Sequence, residues 1–128
     1  MNSATTSVQT FFDDYAEALL SFSPEKIASF YTTPMAVYSD NGVQLVDSMD
    51  QVVAFWGEGV KPYKKMNIDT ASPQILTEDQ LSEKVLVCKV LWQNKDKSGQ
   101  EVGAETNFYI LSDNDGSLHI SGLVIMGQ

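Results

Sequence analysis

Few side chains in this sequence are equipped for chemistry near neutral pH. His119 is the only histidine, and histidine alone has an ordinary titration close to neutrality, so it is the first candidate for acid-base work. Cys88 is the only cysteine, which excludes an intrachain disulfide framework. It lies in the apolar run Val85-Leu86-Val87-Cys88-Lys89-Val90, where a small buried hydrophobe is the simplest reading. One histidine and one distant cysteine make no transition-metal ligand set. Asp113-Asn114-Asp115-Gly116 lacks the leading aspartate and closing glutamate of a calcium loop and reads as a turn. Asp40 opens Asp40-Asn41-Gly42, a tight hairpin turn by its residue types. The sequence therefore implies no metal and no cofactor.

The charge balance narrows the partners. Acidic residues number 17 against 8 basic ones, a formal net charge of -9, and every basic residue is lysine. Without arginine there is no planar fork to grip phosphates or carboxylates bidentately. Nucleic acid, anionic membrane and phosphorylated substrates are thus disfavoured, and a basic protein partner is the alternative. No apolar stretch has the length of a membrane span, and residues 1–7 show neither the basic nor the apolar region of a secretory signal. The expectation is a cytoplasmic protein of one domain over residues 1–128.

These residues need elements to position them. Thr6-x-x-Gln9 fits a capping box, and Val8, Phe12, Tyr15, Leu19 and Phe22 follow at helical spacing, predicting a helix over 6–21. Ser23-Pro24-Glu25 starts a second, short helix that Pro34 closes. Met35 to Ser39 and Val43 to Val46 read as a hairpin around Asp40-Asn41-Gly42. Ser48-x-x-Gln51 opens a third helix that weakens at Gly57 and Gly59. Long β segments then run over about 66–77, 81–93, 101–112 and 118–126, with turns at Glu78-Asp79-Gln80, Asn94 to Gly99 and 113–116. The order is α-α-β-β-α-β-β-β-β. It predicts an α+β fold, a cone-shaped, curved, mostly antiparallel sheet wrapped around three helices from the N-terminal half.

This order, with Phe12-Asp13-Asp14-Tyr15-Ala16-Glu17-Ala18-Leu19, Lys26-Ile27-Ala28-Ser29-Phe30-Tyr31, Val52-Val53-Ala54-Phe55-Trp56 and Asp115-Gly116-Ser117-Leu118-His119-Ile120, resembles the nuclear-transport-factor-2-like superfamily. The likeness is to its SnoaL-like and ketosteroid-isomerase-like group. It implies that Leu86, Cys88, Val90 and Trp92 face the concave side, beside Val102, Ala104, Thr106, Phe108 and Ile110. Alternation then puts Glu101, Glu105 and Asn107 on the wetter face. The last strand is apolar in both of its alternating sets, as expected of a strand buried on both sides. The resemblance implies that a homodimer forms through the outer sheet face.

Carried over residue by residue, the ketosteroid isomerase pattern is incomplete. Tyr15 falls at the oxyanion-donor position, Ser39 at the base position with Asp40 beside it, and Thr106 at the position of the protonated acid. Limonene-epoxide hydrolases need an arginine and scytalone dehydratase more than one histidine, so both chemistries are excluded. A SnoaL-type His–Asp pair finds no carboxylate in Val124-Ile125-Met126-Gly127-Gln128. The resulting expectation is a largely apolar pocket lined by Tyr31, Phe55, Trp92, Thr106 and Phe108, with Tyr15, His119 and Asp40 as its catalytic candidates. It would bind a small hydrophobic molecule and suit proton transfer of the isomerase, cyclase or dehydratase type. The alternative is a non-catalytic homodimeric binding or oligomerisation module.

Overall fold

The computed structural model describes residues 7–114 and 116–126. Helix α1 spans Val8–Leu20 and starts at Ser7, whose hydroxyl accepts from the Thr10 amide at 3.1 Å. Thr6, the expected cap, lies outside the described residues. Phe11, Phe12, Tyr15, Ala16, Ala18 and Leu19 form the buried stripe that the three- and four-residue spacing dictates. Helix α2, Pro24–Ala28, is capped by Ser23 as expected. Its closure differs from the expectation. The helix ends at Ala28, and Pro34 stands inside the first strand, in the irregular stretch between Tyr31 and Ala36 where the pairing register shifts.

Strands β1 (Tyr31–Ser39) and β2 (Gly42–Val46) flank the Asp40-Asn41 turn, where Gly42 adopts φ +113°. Helix α3 covers Met49–Lys65 and begins with the full Ser48/Gln51 capping box. It runs past Gly57 and Gly59 and contains Pro62, longer than local propensity predicts. Val52, Trp56 and Val60, one turn apart, bury its inner face, and that packing outweighs the weak residues. Strands β3 (Ile68–Gln80), β4 (Val85–Asp96), β5 (Glu101–Asn114) and β6 (Ser117–Ile125) complete the chain. Two expected turns are displaced. Glu78, Asp79 and Gln80 pair with β4, and the turn falls at 81–84, closed by the Leu81 amide on the Val85 carbonyl at 2.9 Å. Asn94 belongs to β4, and Asp96 makes the next turn by accepting from Ser98 and Gln100.

The six strands form one sheet in the order β2-β1-β6-β5-β4-β3, antiparallel except for the β1–β6 pair. The three helices and the mostly antiparallel sheet are the α+β architecture that the element order predicts. The core lies between the helices and one sheet face, where Phe12 meets Tyr109 edge-on at 5.0 Å and Trp92 at 6.4 Å.

The register settles which residues share that face. Across an antiparallel pair, opposed residues point the same way. Leu86, Cys88, Val90, Trp92 and Asn94 oppose Leu111, Tyr109, Asn107, Glu105 and Gly103. Leu86, Cys88, Val90 and Trp92 are buried on the concave side, as expected. Strand β5 is shifted by one residue from the expectation: Glu105, Asn107, Tyr109 and Leu111 face inward, while Thr106, Phe108 and Ile110 face out. On β6, Ile120 opposes Leu111 but Gly122 opposes Ile110, so Ser121 is an extra residue in a bulge. Leu118 and Ile120 face inward before it, Leu123 and Ile125 after it. The double apolar pattern of this strand records a change of phase at the bulge, not burial on both sides.

Candidate functional site

The open end of the curved sheet holds a cavity of about 260 Å³. Tyr15 and Leu19 of α1 close one side, and Phe55, Trp56, Gly59 and Tyr63 of α3 another. The floor is Asn94, Glu105, Asn107 and Tyr109 of β4 and β5, with Leu123 and Ile125 of β6 completing the wall. Gly59 belongs to this lining because a Cβ there would lie 2.7 Å from Trp56 Cε3. Clefts for drug-sized ligands run to about 300–1,000 Å³, so this one suits a compact molecule better than a steroid.

Its polar groups form three linked sets. The Tyr15 and Tyr31 hydroxyls are 2.6 Å apart in the buried interior. One O–H is consumed by their mutual bond, which leaves a single hydroxyl hydrogen to donate elsewhere. The Trp56 indole lies near enough to Tyr31 to favour its ionised form, yet makes no hydrogen bond of good geometry. Behind this pair, Tyr109 accepts from Trp92 Nε1 at 2.8 Å and from Asn107 Nδ2 at 3.5 Å. At the rim, Tyr63 donates to Glu105 Oε1 at 3.2 Å. Asn94 Oδ1 is buried and has no hydrogen-bond partner.

Burial raises the pKa of Tyr15, Tyr31, Tyr63 and Tyr109, because a phenolate would lose its hydration. The neighbouring Glu105 carboxylate pushes Tyr63 further in the same direction. All four are neutral hydroxyl donors at physiological pH. Burial also pushes the Cys88 thiol up to about 12, in keeping with a packing role.

The structure brings together some of the expected site residues and separates others. Tyr15 and Phe55 line the cavity, Tyr31 is the hydroxyl partner of Tyr15, and Trp92 stands behind the wall as donor to Tyr109. Thr106 and Phe108 are on the opposite face of the sheet, where Lys89 Nζ lies 5.7 Å from the centre of the Phe108 ring. Asp40 is exposed in the β1–β2 turn, and the Asn41 amide there bonds Ser39 Oγ at 3.1 Å. His119 opposes Ser112, ahead of the β6 bulge, and lines a separate surface hollow with Phe11, Asp14 and Phe30. Neither of these two titratable candidates reaches the Tyr15 cavity.

Sequence reasoning missed Glu105, Asn107, Tyr109, Asn94 and Tyr63. The inward phase of β5 and the end of β4 were the signals that would have found the first four. Among the described residues no cluster of three potential metal-ligating side chains occurs. No helix among the described residues is long and apolar enough to cross a membrane.

The family model described as NTF2-like protein (DUF6841) matches residues 5–127. No curated protein matches the chain. Among solved structures, a domain of unknown function with a cystatin-like fold from Nostoc punctiforme superposes with a TM-score of 0.73 at 13% identity, covering 94% of this chain and 75% of that one. A ketosteroid isomerase-like protein from Erwinia carotovora atroseptica gives a TM-score of 0.67 at 11% identity, covering 98% and 97%. A protein from Thiobacillus denitrificans, described as a calcium/calmodulin-dependent protein kinase type II association domain, gives 0.75 at 8% identity, covering 97% of each chain. At such identities the likeness is one of fold.

Proposed function

The chain belongs to the NTF2-like family DUF6841, and on that premise we propose that it is a one-domain small-molecule-binding protein whose site is the cavity at the open end of the sheet. The observation that carries this reading is the make-up of the cavity. Aromatic and aliphatic walls surround a few convergent polar groups, the combination that holds and orients a small ligand. The ligand is compact and mostly apolar. A proton-transfer reaction beside a carbonyl is the catalytic form of the same reading. Tyr15 then donates to the developing oxyanion, and Glu105 replaces Asp40 as the carboxylate within reach.

Fluorescence of Trp56, which lines the cavity, offers the test. Titration with single-ring aromatic compounds is expected to give saturable quenching, weakened at least tenfold by Ile125→Phe, which adds bulk at the mouth. Absence of saturable binding across the panel, or binding indifferent to Ile125→Phe, overturns the reading.

A second reading rests on the opposite face. Val43, Tyr38, Val124 and Phe108 lie in one row across β2, β1, β6 and β5, and Leu45, Ala36, Gly122 and Ile110 in the next. Val43 is 61% exposed and Leu45 71%. Such a patch fits self-association of two copies, with no requirement for catalysis. The solved association domain of the same fold supports it by likeness of shape. Light scattering is expected to give twice the chain mass, falling to a single chain for Leu45→Glu; a monomeric wild type at micromolar concentration removes this reading.

A further inference from the structure

The floor of the cavity is polar in a one-sided way. Glu105 is its carboxylate, and no lysine is among the lining residues. The one ion pair among the described residues, Lys61 with Glu58, is on the exposed side of α3, so no cation among the described residues pairs with Glu105. Its recorded partner is the neutral Tyr63 hydroxyl on Oε1. Asn94, 5% exposed, adds a buried carbonyl oxygen without a donor. Asn94 opposes Gly103 and Trp92 opposes Glu105, so the two acceptors sit diagonally on adjacent strands of one sheet face.

A carboxylate and an orphaned amide oxygen on the same floor ask for a donor that carries positive charge. Tyr15, Phe55, Trp56, Tyr63 and Tyr109 bring aromatic rings to the same space, and ring faces attract organic cations. A bare metal ion needs several ligating groups, and among the described residues no such cluster exists. We propose that the cavity selects a small aromatic or aliphatic amine, its ammonium group held by Glu105 and Asn94 Oδ1 and its apolar body against the aromatic walls. This rests on the small-molecule reading of the cavity and names the chemical class of its ligand. It also gives the lysine-poor interior a role, since a lysine there would occupy the position of the ligand's own charge.

Three probes of nearly equal shape decide it: benzylamine, benzyl alcohol and benzoate, each titrated at pH 7 by calorimetry and Trp fluorescence. Benzylamine is expected to bind at least tenfold tighter than the alcohol, and benzoate more weakly than both. Glu105→Gln, confirmed as folded by near-UV circular dichroism, is expected to abolish the preference, so that benzylamine and benzyl alcohol bind this variant equally. Tyr63→Phe frees Glu105 Oε1 and is expected to keep or strengthen the preference for the amine. Equal binding of amine and alcohol, or a preference that survives Glu105→Gln, overturns the amine assignment and leaves the pocket reading standing. Binding of none of the three, together with silence across the neutral panel, overturns both.

Discussion

The two faces of strand β5 depart from the usual division into an apolar inside and a polar outside. On β5 the inward residues include Glu105 and Asn107, and the outward ones Thr106, Phe108 and Ile110. The inner face packs against the helices and carries the hydroxyl and amide network, whereas the outer face carries apolar rows in which Val43 and Leu45 are exposed. A buried polar group is tolerated only where partners or a ligand satisfy it, so the polar inner residues of β5 are where the proposed binding site is to be tested. Apolar residues on an uncovered face mark a contact surface instead. The difference teaches that on β5 a polar pair, Glu105 and Asn107, lies on the core side beside Tyr109 and Leu111, so hydrophobicity alone does not give the phase of this strand.

The strongest test of that division is alkaline pH. Tyr15, Tyr31, Tyr63 and Tyr109 keep their protons in the folded protein above the usual phenol value of 10.0, while the unfolded chain loses them there. The unfolded state then binds fewer protons than the native one, so stability falls as pH rises through and beyond 10.0. Each such phenol contributes up to about 1.4 kcal/mol per pH unit, enough in combination to unfold a domain of ordinary stability. In a Tyr38→Phe background, which removes the outer-face tyrosine, phenolate absorbance is expected to appear only together with loss of circular dichroism. Phenolate signal from a chain that stays folded would break the claim that burial holds these hydroxyls protonated.

Next in size is the contrast between two neighbours on β5. Tyr109 is 3% exposed and accepts the Trp92 N–H, so Tyr109→Ala is expected to cost about 3–5 kcal/mol in urea denaturation. Phe108, one residue earlier and facing outward under Lys89, is expected to cost about 1 kcal/mol when replaced by Ala in the monomer. Comparable losses at the two positions would mean that β5 has the other phase.

The smallest effect compares two glycines. A Cβ at Gly59 would meet the Trp56 ring at 2.7 Å, and that ring is held by the core. Gly59→Ala is therefore expected to lose about 1–2 kcal/mol, against the gain usual for this change within a helix. At Gly122 a Cβ would lie 2.8 Å from Ile110 Cδ1, which a change of rotamer can move, and 3.2 Å from Ile110 Cβ, which must give by a few tenths of an ångström. Gly122→Ala is expected to stay within about 1 kcal/mol of wild type, and thermal denaturation of both variants ranks them. The reverse ranking would show that the outer face is the more tightly packed.

Much of this architecture was legible in the sequence. The caps at Ser23 and Ser48, the stripe on α1 and the Asp40-Asn41-Gly42 turn each have a local cause, and local causes are visible in a chain. The phase of β5 was not. Alternation gives the period of a strand but not its phase; the resemblance put Val102, Ala104, Thr106, Phe108 and Ile110 inward, and only pairing decides between the two sets. The β6 bulge hid the phase of that strand for a related reason, since one extra residue exchanges the two sets midway. The site suffered most, because Glu105 and Asn107 were assigned to the face they do not occupy. Tyr15 lies in the cavity lining, as expected, because a helix fixes its inward face over several turns.

The place of β6 also has a consequence for how the molecule is made. It lies between β1 and β5, joining the β1–β2 hairpin to the β3–β4–β5 meander, although it follows all of them in the chain. Both halves can form by local pairing, but the sheet is split until residues 117–125 are available to seam it. Its parallel pairing with β1 is the strand pairing of greatest sequence separation, which makes it the costliest of the pairings to close. Before that closure, β1 and β5 each present an unpaired edge, and during synthesis those edges are where a nascent chain would be exposed to mispairing with another.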